Sequence, residues 1–165
     1  VSKDTTKNMV GSSAETGRKK DSFLTKQEAI SQALDVIEMT RHCQVGTNAE
    51  DGYPNIKTMT NRKHEGFKKI WFNTDTSSMR VQQLRKDNKA CVYCLDAAHS
   101  RGLMLVGDIE ILQDLESKRM LWREGDEKFR PLGVEDPEYS VLRFTAKRAN
   151  IVDLMKNKGL TFAID

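Results

Sequence analysis

Between His42 and Thr60 the chain takes up a period of two. Cys43, Val45 and Thr47 alternate with His42, Gln44 and Gly46, Glu50-Asp51-Gly52 supplies a turn, and a partner run follows from Pro54 to Thr60. Alternate side chains stand on opposite faces of a strand, so this stretch reads as a β-hairpin with one face buried. Pro54 has no N–H to donate and suits a strand start or a sheet edge. Further strands are predicted at Lys69–Thr74, Ala90–Leu95, Leu103–Leu112, Tyr139–Thr145 and Ala149–Leu154, with Asn61–Gly66 as a polar turn. Gly107 inside the longest of them marks a bulge or a close backbone approach.

Helical signals are few. Thr25 and Glu28 form a capping-box pattern ahead of Ile30, Ala33, Leu34 and Ile37, which recur at helical spacing up to about Thr40. A short helix with Val81 and Leu84 inward is predicted over Ser77–Lys86, and Asp114 caps a third that carries Leu115 and Trp122. Many short strands with tight turns and few helices give a mainly β chain, an antiparallel barrel or a sandwich. Periodicity alone does not choose between these two.

The 165 residues suffice for one domain, placed at 23–165. Residues 1–22 are Ser/Thr/Lys/Gly-rich with almost nothing apolar, and read as a disordered tail. Lys and Arg number 27 against 24 Asp and Glu, a balance that points to no nucleic acid or other polyanion. The sequence has no run long and apolar enough to span a bilayer, and its three cysteines do not pair off as a disulfide framework. A cytoplasmic protein is expected.

The stretch Phe72-Asn73-Thr74-Asp75-Thr76-Ser77-Ser78-Met79-Arg80 gathers more hydroxyls than a helix start needs. One reading is an over-supplied N-cap. The other is a phosphate cradle, in which free N–H groups, the helix dipole, the hydroxyls and Arg80 all favour an anion. Lys57, on the neighbouring predicted strand, could reach the same anion. The turn lacks the glycines of a P-loop or a dinucleotide-binding fingerprint.

In order along the chain, Gly52-Tyr53-Pro54-Asn55-Ile56-Lys57-Thr58-Met59, then Ile70 to Leu84 and Asn88-Lys89-Ala90, resemble the FMN-binding split barrels related to pyridoxamine 5'-phosphate oxidase. Val106-Gly107-Asp108-Ile109-Glu110 and Lys118-Arg119-Met120-Leu121-Trp122 are similar to the general stress protein branch. The resemblance implies an antiparallel split barrel that forms a homodimer, with FMN in the groove between subunits. It implies a phosphate held by Lys57, Thr74, Ser78 and Arg80, with Asn73, Ser77 and Met79 bordering the turn. Thr58 and Met59 would lie along the isoalloxazine ring. Trp122 is a candidate wall of the flavin pocket, core residue or dimer contact. The implied activity is a flavin-dependent oxidoreductase acting on a small-molecule substrate. The oxidase's Arg-Leu-His-like substrate clamp has no counterpart in Arg148–Asp153, so the resemblance extends to the flavin and not to that substrate. A flavin-storing or sensing module and a haem-handling barrel are the rival readings.

The remaining candidates read structurally. Cys91 and Cys94, three apart on a strand, face opposite sides. His42, His64 and His99 are scattered, and Asp108 and Glu110 share what reads as a solvated strand face. Trp71 reads as core, and Arg62, Lys63, Lys68 and Lys69 as a solvated hairpin tip.

Overall fold

A computed structural model describes residues 23–165; the tail expected over 1–22 lies outside the described residues. The first helix, α1 (Lys26–Met39), starts on the expected capping box. Thr25 Oγ1 accepts from the Glu28 N–H at 3.2 Å, and Glu28 Oε2 accepts from the Thr25 N–H at 2.8 Å. The helix buries Ala29, Ala33, Val36 and Ile37, while Leu34 is exposed.

The strands are β1 (His42–Asn48), β2 (Pro54–Thr60), β3 (Lys63–Glu65), β4 (Lys69–Asp75), β5 (Lys89–Asp96), β6 (Arg101–Leu112), β7 (Tyr139–Asp153) and β8 (Lys158–Ala163). α2 (Met79–Lys86) joins β4 to β5, and α3 (Leu115–Leu121) follows β6. They form one 8-stranded sheet in the order β2-β1-β5-β6-β7-β4-β3, with β8 beside β7. Every ladder is antiparallel.

The sheet curls until its ends meet. The chain leaves β2 through Asn61 and Arg62 and enters β3, which pairs with β4. The Arg62 N–H donates to the Trp71 carbonyl at 3.0 Å, fastening the seam there. Beyond that point β2 and β4 share no ladder. The result is a barrel fastened at one end of a seam and split at the other.

Phe72, Leu103, Leu105, Ile109, Leu142, Phe144 and Ile151 fill the barrel with no exposure worth counting. A second cluster of Trp71, Leu121, Tyr139 and Val141 lies apart from that core, with Trp122 against it. Trp71 is therefore core, as expected.

Three features differ from the sequence reading. The polar run after β2 contains a strand, β3, short enough to carry no periodic signal. The two strands expected at the C-terminal end are one strand, β7. Its interruption is a register shift: Val106 faces Arg148 while Gly107 faces Ala146, leaving Lys147 unpaired against β6. That extra residue puts Lys147 and Arg148 both at the surface and breaks the alternation. Finally, β8 is an additional strand at Lys158–Ala163.

Candidate functional site

The unfastened part of the seam opens as a cleft of about 510 Å³. Thr58, Met59 and Thr60 line it from β2, Asn73, Thr74 and Asp75 from β4, and Arg80 from α2. Tyr139 and the segment after α3, through Asp126, Phe129 and Arg130, complete the wall. Continuing the Lys63–Trp71 register toward the split brings Thr60 opposite Thr74, which is why two segments distant in sequence share one cleft.

The hydroxyl-rich turn divides into two parts with different work. Thr76 and Ser77 fix the turn to the start of β7. Thr76 Oγ1 donates to the Pro137 carbonyl at 2.7 Å, and Ser77 Oγ donates to Glu138 Oε2 at 2.7 Å. Ser78 is the N-cap of α2 and accepts from the Val81 N–H. Thr74 and Ser78 turn to the other side. Arg80 Nη1 donates to Thr74 Oγ1 at 2.6 Å, and Ser78 Oγ lies 3.4 Å from that oxygen.

Arg80 is half-buried, and its Nε is shielded from water without a partner. Burial holds its pKa below the ordinary guanidinium value, while nearby Asp75 acts in the opposite direction. Among the described residues Arg80 has no carboxylate in an ion pair. The other two arginines of the cleft are paired: Arg62 with Asp126, and Arg130 with Asp75. The Nε atoms of Arg62 and Arg130 are also shielded and unpartnered. An anion with several acceptor oxygens fits such a donor set.

The predicted residues fall into groups. Thr58, Met59, Asn73, Thr74 and Arg80 line the cleft, and Ser78 touches it through Thr74. Lys57 is exposed on β2 and outside the lining set, as are Ser77 and Met79, the latter exposed on the first turn of α2. Trp122 closes α3 as its C-cap and packs edge-on against Tyr139, ring centres 5.5 Å apart. That places it behind the cleft wall.

The sequence reading missed Thr60, Arg62, Asp75, Asp126, Phe129, Arg130 and Tyr139 as cleft residues. The sequence places Arg62 on a solvated hairpin tip; Lys63 and Lys68 are exposed there, but Arg62 turns inward to the Leu121 carbonyl (2.8 Å) and Asp126. The signal available was its position in the two-residue link between β2 and β3, at the seam. Burial raises the Tyr139 phenol above its usual pKa, with Arg62 and Arg130 opposing and Asp126 adding to the rise.

Elsewhere, Cys91 and Cys94 do diverge: Cys94 is buried, with its Sγ 3.2 Å from Cys43 Sγ across the β1–β5 pair, and Cys91 is on the opposite face. Asp108 and Glu110 are paired with Lys147 and Arg143. No histidine lines the cleft, and no group of three or more metal-ligating side chains occurs among the described residues.

The family described as "Pyridoxamine 5'-phosphate oxidase like" matches residues 28–164. A solved structure from Clostridium acetobutylicum, described as related to general stress protein 26 of B. subtilis (pyridoxinephosphate oxidase family), is similar at 45% identity. The match covers 86% of this chain and 98% of that one, with a TM-score of 0.76. General Stress Protein 26 from Bacillus anthracis is similar in fold at 18% identity, over 82% and 98% of the two chains, with a TM-score of 0.68. A heme binding protein from Mycobacterium smegmatis shares the fold at 15% identity, over 85% and 60%, with a TM-score of 0.67. No curated protein matches the sequence. A barrel split beside an arginine-and-hydroxyl turn, matched over nearly its whole described length, belongs to the pyridoxamine 5'-phosphate oxidase-like family, among the relatives of general stress protein 26.

Proposed function

We propose that the chain binds FMN non-covalently in the split and works as a cytoplasmic flavin-dependent oxidoreductase, in keeping with its stress-protein relatives. The observation that carries this reading is Arg80, the cleft cation that has no ion-pair partner among the described residues, set on Thr74 beside the head of α2. A phosphate dianion supplies the partner, and the Thr74 and Ser78 hydroxyls add neutral hydrogen bonds. Among the described residues the outer edge of β2 has no ladder partner, and Thr58, which alternates with the residues bonded to β1, turns its N–H and C=O to that edge, free to meet the polar edge of a flavin ring.

Bound FMN supplies a ring that accepts and returns a hydride. The residues of the cleft bind and orient; the ring needs no acid or base from them to accept a hydride. The test is a visible absorption scan of the protein after saturation with FMN and gel filtration. A retained flavin spectrum is expected, with FMN identified after denaturation, and bleaching by NADH or NADPH would mark turnover. Loss of all flavin on the column would overturn the reading.

The flavin groove is proposed to lie between two copies. Tyr93 and Leu95 on β5, Met104 on β6 and Ile56 on β2 are exposed on the outward face of the sheet, with Cys91 and Val106 between them. The row continues on β2 to Thr58 and Thr60, which line the cleft. An apolar face of this kind beside a cofactor site suits a homodimer. Size-exclusion with light scattering is expected to give twice the 18.8 kDa chain mass. Tyr93→Glu, which puts a charge in the centre of that face, is expected to shift it to monomer.

A further inference from the structure

We infer that Arg130 sets the preference of the cleft for a phosphorylated ligand, and does so by neutralising Asp75 and not by touching the phosphate; the inference rests on the FMN reading above. Asp75 directly follows Thr74 and lines the same cleft as Arg80. An ionised carboxylate there has two effects if left alone. It offers Arg80 a competing anion, and it repels a phosphate bound beside Thr74 and Ser78.

Arg130 removes both effects. Its Nη2 pairs with Asp75, its Nη1 donates to the Phe129 carbonyl at 3.0 Å, and its guanidinium lies 6.0 Å from the centre of the Tyr139 ring. Both terminal nitrogens are thereby engaged away from Arg80.

The same segment carries the opposite charge to the opposite side of the seam. Asp126 pairs with Arg62 in the link that follows β2, while Arg130 pairs with Asp75 at the end of β4. Residues 123–136 thus strap the split with two ion pairs of crossed polarity. Asp126 occupies the cation that would compete with Arg80 for an anion, and Arg130 occupies the anion that would repel it. Among the described residues that line the cleft, Arg80 is left as the one cation without an ion-pair partner.

FMN and riboflavin differ only by the phosphate, so their dissociation constants, read from flavin fluorescence at low ionic strength, isolate the effect. Arg130→Met keeps an apolar stem against Tyr139 and removes the charge. It is expected to weaken FMN about tenfold and riboflavin less than about twofold. Adding Asp75→Asn to it is expected to restore FMN binding, and Asp75→Asn alone to tighten it. These differences are expected to shrink as salt rises, because the Asp75 side chain is 58% exposed.

An unchanged FMN-to-riboflavin ratio in Arg130→Met overturns the inference. So does a double variant as weak as Arg130→Met, which would make Arg130 itself the phosphate contact. If Arg130→Met loses its thermal transition, Asp75→Asn alone decides, and unchanged or weaker FMN binding overturns the inference. A wild-type protein that binds neither flavin overturns the FMN reading itself, a result distinct from all of these.

Discussion

Arg80→Ala is expected to weaken FMN binding by about 10- to 150-fold and to leave riboflavin within about twofold, from the roughly 1.5–3 kcal/mol of a charge-assisted hydrogen bond. The asymmetry follows from where Arg80 sits. Its Nη1 is committed to Thr74 Oγ1, and its Nε is shielded with no partner, so part of the donor fork is unspent. A phosphate would meet that fork and the Thr74 and Ser78 hydroxyls together, whereas riboflavin presents a neutral hydroxyl at the same place. Arg80→Lys is expected to recover part of the loss, because an ammonium keeps the charge but not the planar fork. Titration of both flavins against the three proteins measures this. Equal losses for FMN and riboflavin in Arg80→Ala would mean that the residue does not contact the phosphate.

Gly107→Ala is expected to destabilise the protein by roughly 2–4 kcal/mol, the range of a severe steric insertion into a packed ladder. A Cβ on Gly107 would stand 2.0 Å from the Thr145 carbonyl oxygen and 2.9 Å from Ala146 Cα. Both are backbone atoms of β7, held by the β6–β7 ladder on either side of the register shift, and neither can swing away. Gly102→Ala offers the control. There a Cβ would meet the Tyr93 hydroxyl at 2.3 Å, but that is the far end of a flexible side chain, which can shift where a backbone atom cannot. It is expected to cost about 1 kcal/mol or less. Urea midpoints at one fixed protein concentration test the pair. A Gly107→Ala midpoint indistinguishable from that of Gly102→Ala would show that β7 yields where its backbone geometry says it cannot.

What could be read along the chain was whatever rests on near neighbours. The capping box at Thr25, the β1–β2 hairpin and the bulge signal at Gly107 each depend on residues a few positions apart, and each is present. The unbroken β7 was not legible, because Lys147 is pushed out of the alternation by a partner strand some forty residues earlier in sequence. Nor was β8: it lies at the margin of the sheet, its one ladder with β7, half-exposed on both faces, and so needs no alternation. The site divides in the same way. Thr74, Ser78 and Arg80 share one turn and could be recognised together. Arg62, Asp126 and Arg130 acquire their roles only through partners across the seam, and the Pro/Gly-rich segment that carries Arg130 has no period to betray which side chains point inward.

The unbroken strand β7 also fixes an order of events in synthesis. It pairs with β4, β6 and β8, and it begins only at Tyr139. Until the ribosome has delivered Tyr139–Asp153, β4 and β6 carry open edges facing a gap where their common neighbour belongs. Both are apolar strands destined for the barrel interior, the kind of edge that recruits other nascent chains. The barrel therefore cannot close stepwise from its N-terminus; closure waits for β7, and the emerging chain depends until then on whatever shields those edges in the cell.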